Sequence, residues 1–165
     1  MSDLIIRSYR PDDIAAVTAI YGHYVRETVV TFETEAPDDA EMAGRFAAIA
    51  EKGHPLLIAE VDGSVAGYAY ASTYRPRAAY RFTCEDSIYL DPGATGKGLG
   101  KLMLGELLLQ SRAAGFRQML AVITAGTDNS LRLHENFGFQ QVGYFRDIGF
   151  KFDRWHDVVH LQKTL

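Results

Sequence analysis

Residues 91–104 read Asp-Pro-Gly-Ala-Thr-Gly-Lys-Gly-Leu-Gly-Lys-Leu-Met-Leu, so glycine falls at every second position from Gly96 to Gly100 between a strand-like run and a helix-like run. A loop without Cβ atoms bends sharply and can aim several N–H groups inward. The helix that follows adds the positive end of its dipole. Lys97 and Lys101 add full positive charge, and after Asp91 no carboxylate intervenes until Glu106. Such a turn is built for a phosphorylated ligand; the competing reading, a plain turn, rarely needs three glycines at a helix start.

Spacing separates the ligands that use such loops. A nucleotide P-loop needs Gly-x-x-x-x-Gly-Lys followed by Ser or Thr to hold magnesium, but Gly98 follows Lys97. A dinucleotide loop needs a third glycine where Met103 stands, and an acid closing the next strand; Gln118 to Thr124 contains none. Acyl-CoA is the remaining reading.

The rest of the chain alternates strands and helices. Leu4 to Tyr9 reads as a strand, and Pro11-Asp12-Asp13 opens a helix with Ile14, Val17 and Tyr21 on its inner face. A second helix follows Pro37, with Met42, Phe46 and Ile49 inward, and stops at Gly53. Asp62-Gly63 joins Pro55–Val61 to Ser64–Tyr74 as an antiparallel hairpin. Phe82 to Leu90 forms a further strand and Leu99 to Ala114 the helix after the glycine loop. A strand over Gln118–Thr124, a helix near Ser130–Phe137, and strands around Phe139–Arg146 and His156–Leu161 complete the order. This succession predicts one α/β domain over residues 1–165, three layers with a mixed, mostly antiparallel central sheet flanked by helices.

At 165 residues and 47% hydrophobic content, the chain can bury an ample core without a second domain. A net charge of −4 and the absence of basic clusters argue against nucleic acid as a partner. No apolar run approaches a membrane span, and Asp3 and Arg7 interrupt the apolar start, so neither a signal peptide nor a membrane partner is expected and the cytoplasm is the default. The single cysteine, Cys84, fits a reducing compartment.

Two tempting motifs carry no chemistry. His156-Asp-Val-Val-His160 has the outer spacing of a zinc-protease helix, but its β-branched middle reads as a strand, which would hold the two Cα atoms about 13 Å apart. Cys84 alternates with Phe82 and Ile88 toward the expected core and is a poor nucleophile there. No metal and no acyl-cysteine is expected.

Thr95-Gly96-Lys97-Gly98-Leu99-Gly100 resembles the pyrophosphate loop of the GCN5-related N-acetyltransferases, whose pattern is Gln/Arg-x-x-Gly-x-Gly/Ala; Thr95 departs from it. Glu60-Val-Asp-Gly-Ser-Val-Ala-Gly67, Glu85-Asp-Ser-Ile-Tyr89, Arg132-Leu-His-Glu135 before Gly138-Phe139, and Trp155-His-Asp-Val158 extend the resemblance over nearly the whole chain, toward the phosphinothricin and methionine sulfone/sulfoximine acetyltransferase branch. The resemblance implies acetyl-CoA as co-substrate, a small anionic amino acid as acceptor and a homodimer. The alternatives are acetylation of another amine, such as a protein N-terminus or polyamine, and a non-catalytic acyl-CoA sensor.

Several residues follow from the pattern and the resemblance together. Glu85 lies mid-strand on the face of Thr83, Ser87 and Tyr89, where related enzymes place a Glu that deprotonates the amine through water; the plain alternative is a solvated strand carboxylate. Asp86 falls on the apolar face, which calls for a hydrogen-bonded role or a bulge. His134 stands where many members have a tyrosine that protonates the thiolate, and is otherwise a structural histidine. Arg75 and Arg77, stiffened by Pro76, would fork onto a substrate anion, against the alternative of a solvated basic loop. Phe32 and Glu33 would wall the acceptor site, with Asp86 and Ser87 also facing it. Backbone groups of Ile88, Tyr89 and Leu90, the run from Thr95 to Lys101, and Thr127 and Asn129 would hold the co-substrate.

Overall fold

The computed structural model describes residues 3–165. Its strands are β1 (Leu4–Ser8), β2 (Leu56–Val61), β3 (Ser64–Thr73), β4 (Thr83–Leu90), β5 (Gln118–Thr124), β6 (Gln140–Lys151) and β7 (Arg154–Thr164). The helices are α1 (Ile14–Glu27), α2 (Asp39–Glu51), α3 (Leu99–Ala113) and α4 (Asp128–Asn136). All seven strands form one sheet in the order β1-β2-β3-β4-β5-β7-β6. Every neighbouring pair is antiparallel except β4 and β5. The expected mixed, mostly antiparallel α/β architecture is the one found.

Side-chain alternation on the central strands divides the core in two. Cys84, Met119, Ala121 and Leu161 pack with Leu99, Met103, Leu104 and Leu107 of α3. Ile58 and Tyr68 pack with Val17, Ile20 and Val25 of α1 and Met42 and Phe46 of α2. Leu104 and Leu107 are fully buried, and truncating either to Ala would cost about 2–5 kcal/mol.

The two hairpins differ in legibility. Asp62 and Gly63 both take positive φ (50° and 78°), the twist a two-residue turn demands. The β6–β7 turn demands it too, but Phe152 and Asp153 supply it, both at φ 55° and without a glycine. β6 is also broken by irregularities at Gln141/Gly143 and Phe145/Gly149, which scramble its alternation. Both strands therefore run well beyond the expected Phe139–Arg146 and His156–Leu161. Phe82 is a further correction: it precedes β4 and is 50% exposed, with the Arg81 guanidinium 4.4 Å over its ring, instead of joining Cys84 in the core. Tyr9 lies beyond the end of β1. No helix among the described residues is long and apolar enough to cross a membrane.

Candidate active site

The parallel ladder between β4 and β5 lasts three residue pairs, from Thr83–Gln118 to Glu85–Leu120, and then the strands part. Beyond that point β5 stays paired to β7 and β4 to β3, so the facing edges of residues 86–90 and 121–124 border a gap. Both faces of β4 line it. The resulting cleft encloses about 690 Å³.

One end of the cleft is the glycine loop. Gly96 and Gly98 sit at φ 76° and 80°, a region that disfavours any side chain, and Gly98 caps α3. The first N–H groups of a helix have no intrahelical acceptor, so those of Leu99 and Gly100 add to an anion-binding end with the helix dipole behind it. Thr95, Gly96, Gly98, Gly100 and Lys101 line the cleft here. The Thr95 hydroxyl donates to the carbonyl of Pro92 (3.0 Å), which turns it away from the long-range role a Gln or Arg would have. Lys97 instead donates to the Gly93 carbonyl (2.9 Å), and the Leu99 side chain belongs to the core, so neither side chain lines the cleft. Thr127 and Asn129 line the opposite wall, and Ile88, Tyr89 and Leu90 form the β4 edge. This combination of a phosphate cradle and a long edge of backbone donors fits acetyl-CoA.

Glu85 stands where the strands part. Its carboxyl is pushed above the ordinary 4.5, first by burial and then by the charge of Asp86. Among the described residues no cation pairs with it. A half-buried, unpaired carboxylate with a raised pKa is suited to take up a proton. The strand carries Asp86 to the other face, where it is buried without a bulge in the β3–β4 register. There it meets His134: Nε2 lies 2.8 Å from Asp86 Oδ2, while Nδ1 donates to the Ser130 carbonyl at 2.7 Å. Burial drags the His134 pKa down, but the Asp86 hydrogen bond and charge and the Ser130 carbonyl together leave it raised. Both ring nitrogens are engaged, so His134 can release a proton only by breaking its bond to Asp86 or Ser130.

Phe32 lines the cleft together with Thr31, Ser87, Val122 and Thr124. Glu33 does not; its carboxylate pairs with Arg45 at 2.6 Å. Arg75, Pro76 and Arg77 are exposed on the β3–β4 loop and also lie off the cleft wall, with Arg75 stacked 5.1 Å over Tyr74. The His160 imidazole is held below its usual pKa by burial first and by the Arg75 charge second. Cys84 is pushed up to about 12, mainly by burial and then by Asp86, and is inert as a nucleophile. Among the described residues no cluster of three or more His, Cys, Asp or Glu has metal-binding geometry.

Among the cleft residues that the sequence reading did not name, two make hydrogen bonds that shape the wall. The Tyr24 hydroxyl donates to the Leu90 carbonyl (2.6 Å) and closes the cleft's α1 side. Its place three residues after inward-facing Tyr21 was a usable signal. Thr124, whose hydroxyl donates to the Val29 carbonyl at 2.7 Å, had none.

Comparison with known proteins places this geometry in a family. The model of the acetyltransferase (GNAT) domain matches residues 6–160. The chain is 47% identical over 161 residues to a phosphinothricin N-acetyltransferase of Alcaligenes faecalis, covering 97% of this chain and 82% of that protein. It is 34% identical to an L-methionine sulfoximine/L-methionine sulfone acetyltransferase of Salmonella typhimurium, covering 98% and 95%. The crystal structure of a GNAT-superfamily phosphinothricin acetyltransferase from Sinorhizobium meliloti, in complex with AcCoA, superposes with a TM-score of 0.95 at 45% identity, covering 98% of this chain and 88% of that one.

Proposed function

The chain belongs to the GNAT acetyltransferases, N-acetyltransferases dependent on acetyl-CoA, and from that premise we propose that it acetylates the α-amino group of a small anionic amino acid of the phosphinothricin, methionine sulfoximine or methionine sulfone type, by direct attack of the amine on the thioester. The observation that carries the reading is Glu85: a carboxylate with a raised pKa at the branch point of β4 and β5, with no ion-pair partner among the described residues.

Acetyl-CoA supplies an activated acyl group, and the chain supplies position and proton movement. Gly96, Gly98, Gly100 and Lys101 hold the phosphate end, and the β4 edge from Ile88 to Leu90 receives the extended tail. Backbone N–H groups of that edge stabilise the thioester oxygen as it gains charge. Glu85 takes the amine proton through water, for which the raised pKa suits it better than an ordinary carboxylate. His134 lines the cleft and, charged more readily because of Asp86, would supply the proton that the departing thiolate takes up. Arg75 and Arg77, exposed on the β3–β4 loop, would meet the acceptor's anion, and Phe32, which lines the cleft, would lie against its side chain.

A second copy of the chain completes the assembly. The outermost strand, β6, and the turn after it expose Val142, Tyr144, Ile148, Phe150 and Phe152, with Trp155 beside them at 62% exposure. An apolar sheet edge of this kind is a hazard in a monomer and an interface in a homodimer.

The deciding experiment is a panel of amines assayed for CoA release. Methionine sulfone, methionine sulfoximine or phosphinothricin should lead it. Preference for polyamines or peptide N-termini would overturn the acceptor class, and tight acetyl-CoA binding with no turnover on any amine would favour a sensor.

A further inference from the structure

The inward face of the β6–β7 tip holds a residue that fold stability alone does not call for. Lys151 is 3% exposed, its ammonium donates to the carbonyl of Thr31 at 2.8 Å across 120 residues, and the Phe152 ring lies 5.1 Å away. Among the described residues no carboxylate lies within ion-pair distance. A buried ammonium with one carbonyl partner is expensive, and an apolar side chain of similar length would be cheaper to bury. Burial lowers the Lys151 pKa, with the charge of Glu33 opposing, which expresses the same cost.

What Lys151 grips is the acceptor wall. The segment from Val29 to Glu33 joins α1 to α2 with no secondary structure to fix it, yet it is tied at several points. Thr124 donates to the Val29 carbonyl at 2.7 Å, Tyr21 and Thr31 share a hydroxyl hydrogen bond at 2.9 Å, Arg45 holds Glu33, and Lys151 holds the Thr31 carbonyl. Phe32, the member that faces the acceptor, is placed by packing alone. Its ring presses against Gly149, where an added Cβ would come within 2.1 Å of a ring carbon, and lies 6.0 Å from the His156 ring. His156 pairs with Gly149 across the hairpin and is hydrogen-bonded to the Lys151 carbonyl at 2.9 Å, so the tip that meets Phe32 is itself braced.

We propose that Lys151 and Gly149 are positioning residues for the acceptor: the ammonium pulls the 29–33 wall onto the hairpin tip, and the missing side chain at Gly149 lets the Phe32 ring seat there, together setting affinity for the amino acid. The inference rests on the acetyltransferase reading of the cleft. It concerns how tightly the acceptor is held and leaves the acetyl-CoA end untouched.

Lys151→Met keeps the length and removes the ammonium; Gly149→Ala displaces Phe32 from the other side without touching Lys151. Each should raise KM for the amino acid by about 10-fold or more while KM for acetyl-CoA stays within about 2-fold. In Lys151→Met, backbone amides 30–33 should exchange hydrogen faster than in the wild type, and the rest of the sheet should not. A purely structural lysine would lower thermal stability without this split between the two substrates. Unchanged amino-acid KM in both variants, or an equal rise for both substrates, would overturn the proposal. Unchanged exchange at 30–33 would overturn it even if no amine on the panel is a substrate, a result that by itself counts against the acetyltransferase reading.

Discussion

His134 on α4 and Asp86 on β4 meet through a 2.8 Å contact between Nε2 and Oδ2, both side chains buried and 48 positions apart in the chain. The pair raises the His134 pKa in the folded state above its ordinary 6.5, against the pull of burial. A folded pKa above the unfolded one contributes stability in full below pH 6.5 and loses it as pH rises through the folded value. The melting temperature of Asp86→Asn should therefore fall further below that of the wild type at about pH 5.5 than at about pH 8.5. A gap independent of pH would mean that the pair does not hold a proton.

Glu85→Gln keeps the shape of the side chain and removes the base. Turnover at neutral pH should drop by roughly 10²-fold or more with acetyl-CoA affinity nearly unchanged, and the deficit should shrink at high pH as the amine loses its own proton. The acid limb of the wild-type kcat/KM profile should lie above the ordinary carboxylate value of 4.5, since burial and then Asp86 both raise Glu85. Asp86→Asn should move that limb down. Normal neutral-pH turnover by Glu85→Gln would remove Glu85 from the mechanism.

On the proposed reading, Arg75→Ala and Arg77→Ala should each lower kcat/KM for methionine sulfone, because each would remove a charge-assisted contact to the acceptor's anion. Neutral amines should be spared. Because both arginines are exposed on the β3–β4 loop, folding should be unaffected, and full activity of both variants on anionic acceptors would place the anion's partner elsewhere.

Trp155→Arg puts a charge into the most exposed part of the β6–β7 apolar face and should convert a dimer into a monomer in sedimentation velocity. A wild type that sediments as a monomer at every concentration would show that the face serves another purpose.

Features set by local chemistry were readable from the chain: the phosphate loop from its alternating glycines, the β2–β3 turn from Asp62-Gly63, the carboxylate at Glu85 from its place in a short alternating strand. Features set by distant contacts were not. Nothing near Asp86 in sequence points to His134, so a buried acid read only as an anomaly to be explained. The Phe152-Asp153 turn adopts a glycine-like backbone without glycine, and the irregularities in β6 break the two-residue period, so the longest hairpin was read too short. Glu33, expected in the acceptor wall beside Phe32, pairs instead with Arg45 on α2, a partner twelve residues on that the local sequence does not reveal. Lys151 lies 120 residues from the carbonyl it holds, a relation without a local signature.

The early end of the β4–β5 ladder has a metric consequence. From Leu90, beside the glycine loop, to Glu85, where the strands rejoin, is five residues of extended chain, about 16 Å at about 3.3 Å per residue. A ligand anchored by its phosphate at Gly98 and laid along this edge has its far end fixed to within one strand step. On the proposed reading the strand would act as a ruler: a molecule with the same phosphate but a shorter arm would dock without reaching the carboxylate, and reach would discriminate among phosphorylated compounds as much as grip.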